Sequence, residues 1–466
     1  MTQALIEQAP TLFLNAKLVD GNGGPPVEGA AVRVEENRIT HVGRTADWGP
    51  SPDGDQRVID LEGKTLMPGL VEGHFHISFW GVRELPDLDL KLPAERTTVY
   101  AVKNAELALR CGYTAVASAG ALHRIDVTIR DMIDEGVIVG PRMAASGRDI
   151  CATSGMLDWN PSFWRLGMDG LAIFADGVEE VRKAVRQNIK EGCDVVKLYV
   201  TGEGLLRGRP GIPPEETMYS FEEIEVAVRE AHTRNRQIAA HVRGDDGVKL
   251  CVRAGVDVIE HATYATDETI EMIAERKEEI FVVPGLGYHW GILTRGLACG
   301  ISQEMLDASG YQDEWERGCQ AMDKLRKAGV RIIPGGDYGF VWCPHGEYAK
   351  DIELFVTDMG FSPMEAIVAA TKHGAQLVGM EDDTGTVEAG KFADLLIVDG
   401  DPLENIAILQ DRSKLAMVMK DGEVMVNTLG LHQELQPLPN FTMEIELIQR
   451  AKAGIDPMPS AAEVQH

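Results

Sequence analysis

His74 and His76 close the apolar run Leu66-Met67-Pro68-Gly69-Leu70-Val71-Glu72-Gly73, two imidazoles separated by Phe75. On a strand, residues i and i+2 point to the same face. Such a pair suits a divalent metal of the zinc type better than it suits packing. Four more apolar runs carry or close on chemically capable side chains. Lys197 stands in Asp194-Val195-Val196-Lys197-Leu198-Tyr199, and His241 ends Ile238-Ala239-Ala240-His241. His261 ends Val258-Ile259-Glu260-His261, and Asp337 follows Ile333-Pro334-Gly335-Gly336.

An ammonium within an apolar strand is costly to bury. Carboxylation of the Lys197 amine by carbon dioxide would make it an anionic oxygen ligand able to bridge two ions. His74 and His76 would then hold one metal with Asp337, and His241 and His261 the other. Water bound at such a site drops in pKa towards ~7. Asp337 beside it can take the proton and deliver it to a leaving group. Taken singly, each residue has a plainer reading. His241 and His261 read equally as satisfied core histidines, Lys197 as half of an ion pair, and Asp337 as a turn residue after two glycines. Repetition at one strand end after another favours the joint reading. Cys151 and Cys343 have no activating base nearby in sequence, which argues against a cysteine nucleophile.

These side chains need a scaffold of strand ends. Strands are predicted at 70–76, 114–119, 142–147, 194–200, 237–242, 256–262, 280–285 and 330–337, with amphipathic segments between them. Val178, Val181, Val185 and Ile189, for example, keep helical spacing before Gly192. Eight strands in βα alternation predict an α/β fold, a (β/α)₈ TIM barrel over residues 67–375. A doubly wound sheet competes, but no glycine-rich phosphate turn follows the first strand. Short strands at both chain ends predict a small β-sandwich built from residues 1–66 and 376–430. Residues 431–466 read as a tail wrapping the surface or a neighbouring subunit.

The chain of 466 residues carries a net charge of −28, which disfavours nucleic acid and anionic membranes as partners. No apolar stretch reaches the ~18–20 residues of a membrane span, and no signal peptide is visible at the N-terminus. Seven scattered cysteines without a CxxC pair point to reduced thiols and a cytoplasmic location.

The motif set resembles the amidohydrolase superfamily over nearly the whole chain. The resemblance rests on Met67-Pro68-Gly69-Leu70-Val71-Glu72-Gly73-His74-Phe75-His76, Lys197, His241, Ile259-Glu260-His261, Gly336-Asp337 and Gly385-Thr386-Val387-Glu388-Ala389-Gly390-Lys391-Phe392-Ala393-Asp394-Leu395. Within the superfamily it is similar to the imidazolonepropionase-like and Xaa-Pro dipeptidase-like branch. That implies Zn2+ or Co2+, one or two ions per chain, N6-carboxylysine at Lys197, and a homo-oligomer such as a dimer or tetramer. Departures are Glu72 for the usual aspartate, Ser118-Ala119 for the common Arg-Asp, and Cys151-Ala152-Thr153-Ser154-Gly155-Met156 where peptidase-like members carry a histidine. The chain further resembles the phenylurea and molinate (thiocarbamate) hydrolases of herbicide degradation.

The loops suit an apolar, small-molecule substrate. Trp80, Met156, Trp159, Trp164 and Tyr288, with Phe79, Leu157, Leu171 and Phe340 beside them, predict an aromatic-rich mouth. Tyr199, His289 and His345 lie where they could reach a carbonyl oxygen or the substrate. The expected activity is hydrolysis of a carbonyl C–N or C–S bond in a small apolar amide, urea or (thio)carbamate. The alternatives are a dipeptidase or imidazolonepropionase-like hydrolase, with Arg124 or Arg243 for a substrate carboxylate, and a non-catalytic barrel scaffold.

Overall fold

The structure is a computed structural model that describes residues 9–48, 56–160, 163, 170–203 and 212–429. Trp164 and the tail at 431–466 lie outside the described residues. The first five strands are β1 (Thr11–Leu18), β2 (Val27–Glu35), β3 (Arg38–Arg44), β4 (Arg57–Asp60) and β5 (Thr65–Pro68). The middle of the chain gives β6 (Leu70–Phe75), β7 (Tyr113–Ser118), β8 (Arg142–Ala144), β9 (Asp149–Cys151) and β10 (Ala172–Phe174). It continues with β11 (Val195–Tyr199), β12 (Gln237–Val242), β13 (Val258–His261), β14 (Phe281–Val283) and β15 (Arg331–Ile332). The last three are β16 (Leu395–Val398), β17 (Leu415–Lys420) and β18 (Glu423–Asn427).

Both chain ends contribute to one mixed sheet, ordered β18-β17-β16-β5-β1-β2-β3 with β4 also on β1. Its own apolar cluster includes Phe13, Val32, Leu66, Leu395 and Met417. The run 66–73 therefore serves two sheets. Met67 and Pro68 pair with Leu396 and Leu395, whereas Leu70 onward pairs with β7.

The middle forms two parallel sheets, β6-β7-β8 and β10-β9-β11-β12-β13-β14-β15, a TIM-barrel-type arrangement. Backbone hydrogen bonds link the two sheets. The amides of Asp194 and Val195 donate to the Ala145 carbonyl at 2.7 and 3.1 Å, and the Gly73 amide donates to Pro334 at 2.8 Å. A compact cluster of Ala117, Ala144, Val195, Ala239, Val258, Phe281, Val283 and Ile333 draws on successive strands, as the inside of a barrel requires. Among the described residues, no helix is long and apolar enough to cross a membrane.

Strand boundaries depart from expectation where local chemistry intervenes. The strand predicted at 142–147 ends at Ala144, and β9 starts at Asp149. Between them the amides of Ser146 and Gly147 donate to Asp126 Oδ2 at 2.8 and 2.9 Å, and Gly147 has φ +70°. That carboxylate removes two amides from any ladder and turns the chain. The strand predicted at 330–337 keeps only Arg331–Ile332 in the ladder, because Pro334 has no amide to give. The predicted helix before Gly192 is the helix Gly177–Glu191, capped by Gly192 at φ +103° with Val181 and Val185 buried.

Candidate metal centre

Strand alternation explains why the polar side chains converge. Val195 belongs to the interior cluster, so Lys197 and Tyr199, two and four residues on, share its inward face. Ala239 does the same for His241. On β13, Val258 points inward and Glu260 follows it. His261 ought then to face outward, but its φ of +77° breaks the alternation and both side chains reach the same space. Asp337, at φ +61°, is held in the same sparsely populated region. Non-glycine residues accept that strain where the surrounding structure fixes them, and functional sites are where it concentrates.

The predicted ligands form two groups. In the first, His74 Nε2 and His76 Nε2 are 3.1 Å apart, and Asp337 Oδ1 lies 3.2 Å from His76 Nε2 and 3.8 Å from His74 Nε2. His76 Nδ1 is fixed 3.0 Å from the Gly120 carbonyl. In the second, His261 Nε2 lies 2.9 Å from His241 Nδ1, and His261 Nδ1 lies 3.1 Å from the Pro284 carbonyl. Ring nitrogens anchored to backbone carbonyls orient the opposite nitrogens as ligands. Lys197 ion-pairs with Glu260 and donates to the Ala119 carbonyl at 3.0 Å. Glu260 Oε1 in turn sits 3.8 Å from His74 Nδ1.

The surroundings of the histidines set their protonation states differently. Burial pushes the pKa of His74, His241 and His261 well below the usual histidine range, leaving neutral imidazoles. Burial opposes a charge on His76 too, but the hydrogen bond to Asp337 prevails and raises its pKa. Burial likewise acts against an ionised Asp337, yet His76 and His74 hold its carboxyl well below the usual range. His74 Nδ1 and His241 Nε2 are buried without a hydrogen-bond partner. Three groups bring ligand atoms within 4.8 Å of one another: His74, His76 and Asp337; His74, Glu260 and His261; Glu203, His241 and His261. Nitrogen and carboxylate donors with unsatisfied buried lone pairs fit a divalent ion.

A narrow cleft opens onto these ligands. Its walls are Phe79, Leu85, Leu157, Leu171, Tyr199 and Phe340, with Asp149 and Glu203 beside the ligands. Tyr199 stacks on His241, ring centroids 3.9 Å apart. Phe79, Leu157, Leu171 and Phe340 line the cleft as expected of the mouth, together with Tyr199; among the described residues, the other predicted substrate contacts do not. Trp80 stacks on Tyr100 at 4.7 Å, and Met156 and Trp159 are buried beside Leu157. Tyr288 packs edge-on against Phe340 at 4.9 Å. His345 lies 3.1 Å from both the Phe79 carbonyl and the Tyr348 hydroxyl, and burial pushes its pKa to about 3. His289 is fully buried, with Nε2 3.0 Å from Glu314 Oε2.

Sequence reading missed a set of charged partners. Arg243 bridges Glu203 at 3.0 Å and Glu314 at 3.5 Å, linking the second histidine group to His289. Glu203 Oε1 lies 3.9 Å from His241 Nδ1. Glu72 Oε1 accepts from the amides of Gly336 at 3.0 Å and His74 at 3.4 Å, tying the ends of β6 and β15 together. Burial raises Asp149 to about 7, against the pull of Lys197 and His76. A charged residue interrupting an apolar strand, as Glu260 does, was the one available signal.

An amidohydrolase family model matches residues 65–425. The chain belongs to the amidohydrolase family, hydrolases acting on carbon–nitrogen bonds, and the scaffold reading falls. Ochratoxinase from Aspergillus niger is 29% identical, the match covering 90% of this chain and 88% of that protein. The crystal structure of a prolidase complexed with N-methylphosphonate-L-proline superposes with a TM-score of 0.79 at 26% identity, covering 89% and 99% of the two chains. Molinate hydrolase (TM-score 0.72, 93% and 99% covered) and phenylurea hydrolase B (0.68, 91% and 100%), both 22% identical, share the fold.

Proposed function

We propose that this protein is a metal-dependent hydrolase of the carbonyl C–N or C–S bond in a small, uncharged, largely apolar amide, urea or (thio)carbamate. The observation that carries this reading is the apolar cleft over the two histidine groups. Among the described residues lining it, Lys197 is the only lysine or arginine, and it is paired with Glu260. Arg243 is committed to Glu203 and Glu314, and Arg124 donates to the Glu191 carbonyl at an exposed site. Neither lines the cleft, although Arg243 Nε and Nη1 are buried without a hydrogen-bond partner.

A divalent ion, Zn2+ or Co2+, would supply Lewis acidity at the carbonyl oxygen and a water acidic enough to attack near neutral pH. His74, His76 and Asp337 would hold one ion, His241 and His261 a second. Carboxylated Lys197 would bridge them, within one (β/α)₈ barrel flanked by the chain-end β-sandwich. Asp337 accepts the attacking water's proton as the new C–O bond forms and returns it to the departing nitrogen or sulfur as the old bond breaks. The apolar walls hold the substrate body and keep bulk water away.

A second reading, a dipeptidase, draws on the likeness to the prolidase and to a Xaa-Pro dipeptidase structure at 28% identity. The metal-loaded protein should be assayed against N-aryl amides, phenylureas, thiocarbamates and Xaa-Pro dipeptides. Turnover of the first three classes above the dipeptides is expected. Turnover of dipeptides alone would overturn the apolar-substrate reading.

A further inference from the structure

Asp149 lines the cleft, is 3% exposed, and takes no part in either ligand group. Its Oδ1 is buried with no hydrogen-bond partner. An unsatisfied buried acceptor is costly, so native structures rarely keep one without a use. The fold also makes room for it. Gly120, at φ +122°, faces the carboxyl, and a Cβ there would stand 2.6 Å from Asp149 Oδ2. The same Gly120 gives its carbonyl to His76, so Asp149 sits against the wall that orients a predicted ligand. The remaining walls are mostly apolar, leaving Asp149 and Glu203 as the carboxylates outside the ligand groups predicted from sequence. Glu203 is already taken by Arg243.

We infer that Asp149 is a specificity-determining residue whose free carboxyl oxygen accepts a hydrogen bond from an N–H of the substrate. This rests on the hydrolase reading above and narrows it. The favoured substrates are secondary amides, or ureas and carbamates that keep an N–H, over fully N-substituted ones. An N-methyl group at that position would face the buried oxygen without offering a donor, leaving it unpaired.

The test compares kcat/KM of the metal-loaded protein for an N-aryl acetamide and its N-methyl counterpart, in wild type and Asp149→Ala. The readout is the change in the ratio on substitution, which cancels the intrinsic reactivity of the two compounds. A drop of up to about 10-fold is expected, the size of one hydrogen bond. Asp149→Asn, which keeps a carbonyl acceptor of the same shape, should lose less. Metal content is measured in parallel and should match wild type in both variants. An unchanged ratio in Asp149→Ala, or metal lost from Asp149→Asn, would overturn the assignment. Wild type inert towards amides, ureas and carbamates alike would instead overturn the hydrolase reading and this inference with it.

Discussion

Lys197 and Glu260 form an ion pair with both side chains buried, and Glu260 also approaches His74 from the second histidine group's strand. The pair is the electrostatic join between the two groups. As a free amine, Lys197 needs Glu260; as a carbamate, it would repel an ionised Glu260. Burial already raises the Glu260 pKa, with Lys197 as the main opposing influence. Carboxylation would therefore favour a protonated Glu260.

Breaking this pair from one side should destabilise the metal-free protein. Lys197→Met leaves a carboxylate alone in the interior, a loss of about 3–5 kcal/mol. The double variant Lys197→Met/Glu260→Gln should recover at least half of it. Denaturant unfolding of wild type, Lys197→Met, Glu260→Gln and the double variant measures the coupling, and a Lys197→Met loss below about 1 kcal/mol would contradict it.

Asp337→Asn should keep the fold and lose most turnover. The amide cannot take a proton from water, so kcat should fall by about 10²–10⁴-fold. Metal analysis and kcat on the same preparation separate ligand loss from proton-transfer loss. Retained turnover would remove Asp337 from the reaction.

Metal uptake should depend on pH through His76. A ligand imidazole must be neutral, and Asp337 holds His76 protonated above the usual histidine range. Affinity should then rise with pH up to that raised pKa and level off above it, with proton release on binding. For the metal-free protein the sign reverses. The stability contributed by His76 is full below its unfolded pKa of about 6.5 and fades as pH rises through the folded value. Calorimetric titration in two buffers of different ionisation enthalpy reads the released proton, and Asp337→Asn should shift the affinity profile to lower pH.

Gly285→Ala should disturb the second group while leaving the first in place. Gly285 adopts φ +67°, and a Cβ there would stand 2.6 Å from His261 Nδ1. A lower metal stoichiometry with the first site filled is expected from elemental analysis. Full occupancy of both would show that His261 tolerates displacement.

Much of this centre was legible because barrel strands are apolar inside, so His74, His76, Lys197, His241 and Asp337 stand out as interruptions. The βα alternation was legible for the same reason, with caps such as Gly192 marking helix ends. The loops were less legible. Phe79 and Trp80 both read as mouth residues, as do Met156 and Leu157, and of each pair only Phe79 and Leu157 line the cleft. Outside a regular strand, no period tells which of two adjacent apolar residues faces the cleft. The partners of Arg243 were equally hidden, because Glu203 and Glu314 come together only through the fold.

The central claim is that His74, His76 and Asp337 hold a divalent ion that turnover requires. Crystals of the zinc- or cobalt-loaded protein, measured at that metal's absorption edge, test it most directly. An anomalous peak about 2.0–2.2 Å from both imidazoles and the Asp337 carboxylate is predicted, with activity lost on chelation and restored on reloading. A peak elsewhere, together with undiminished turnover by the chelated protein, would contradict the claim.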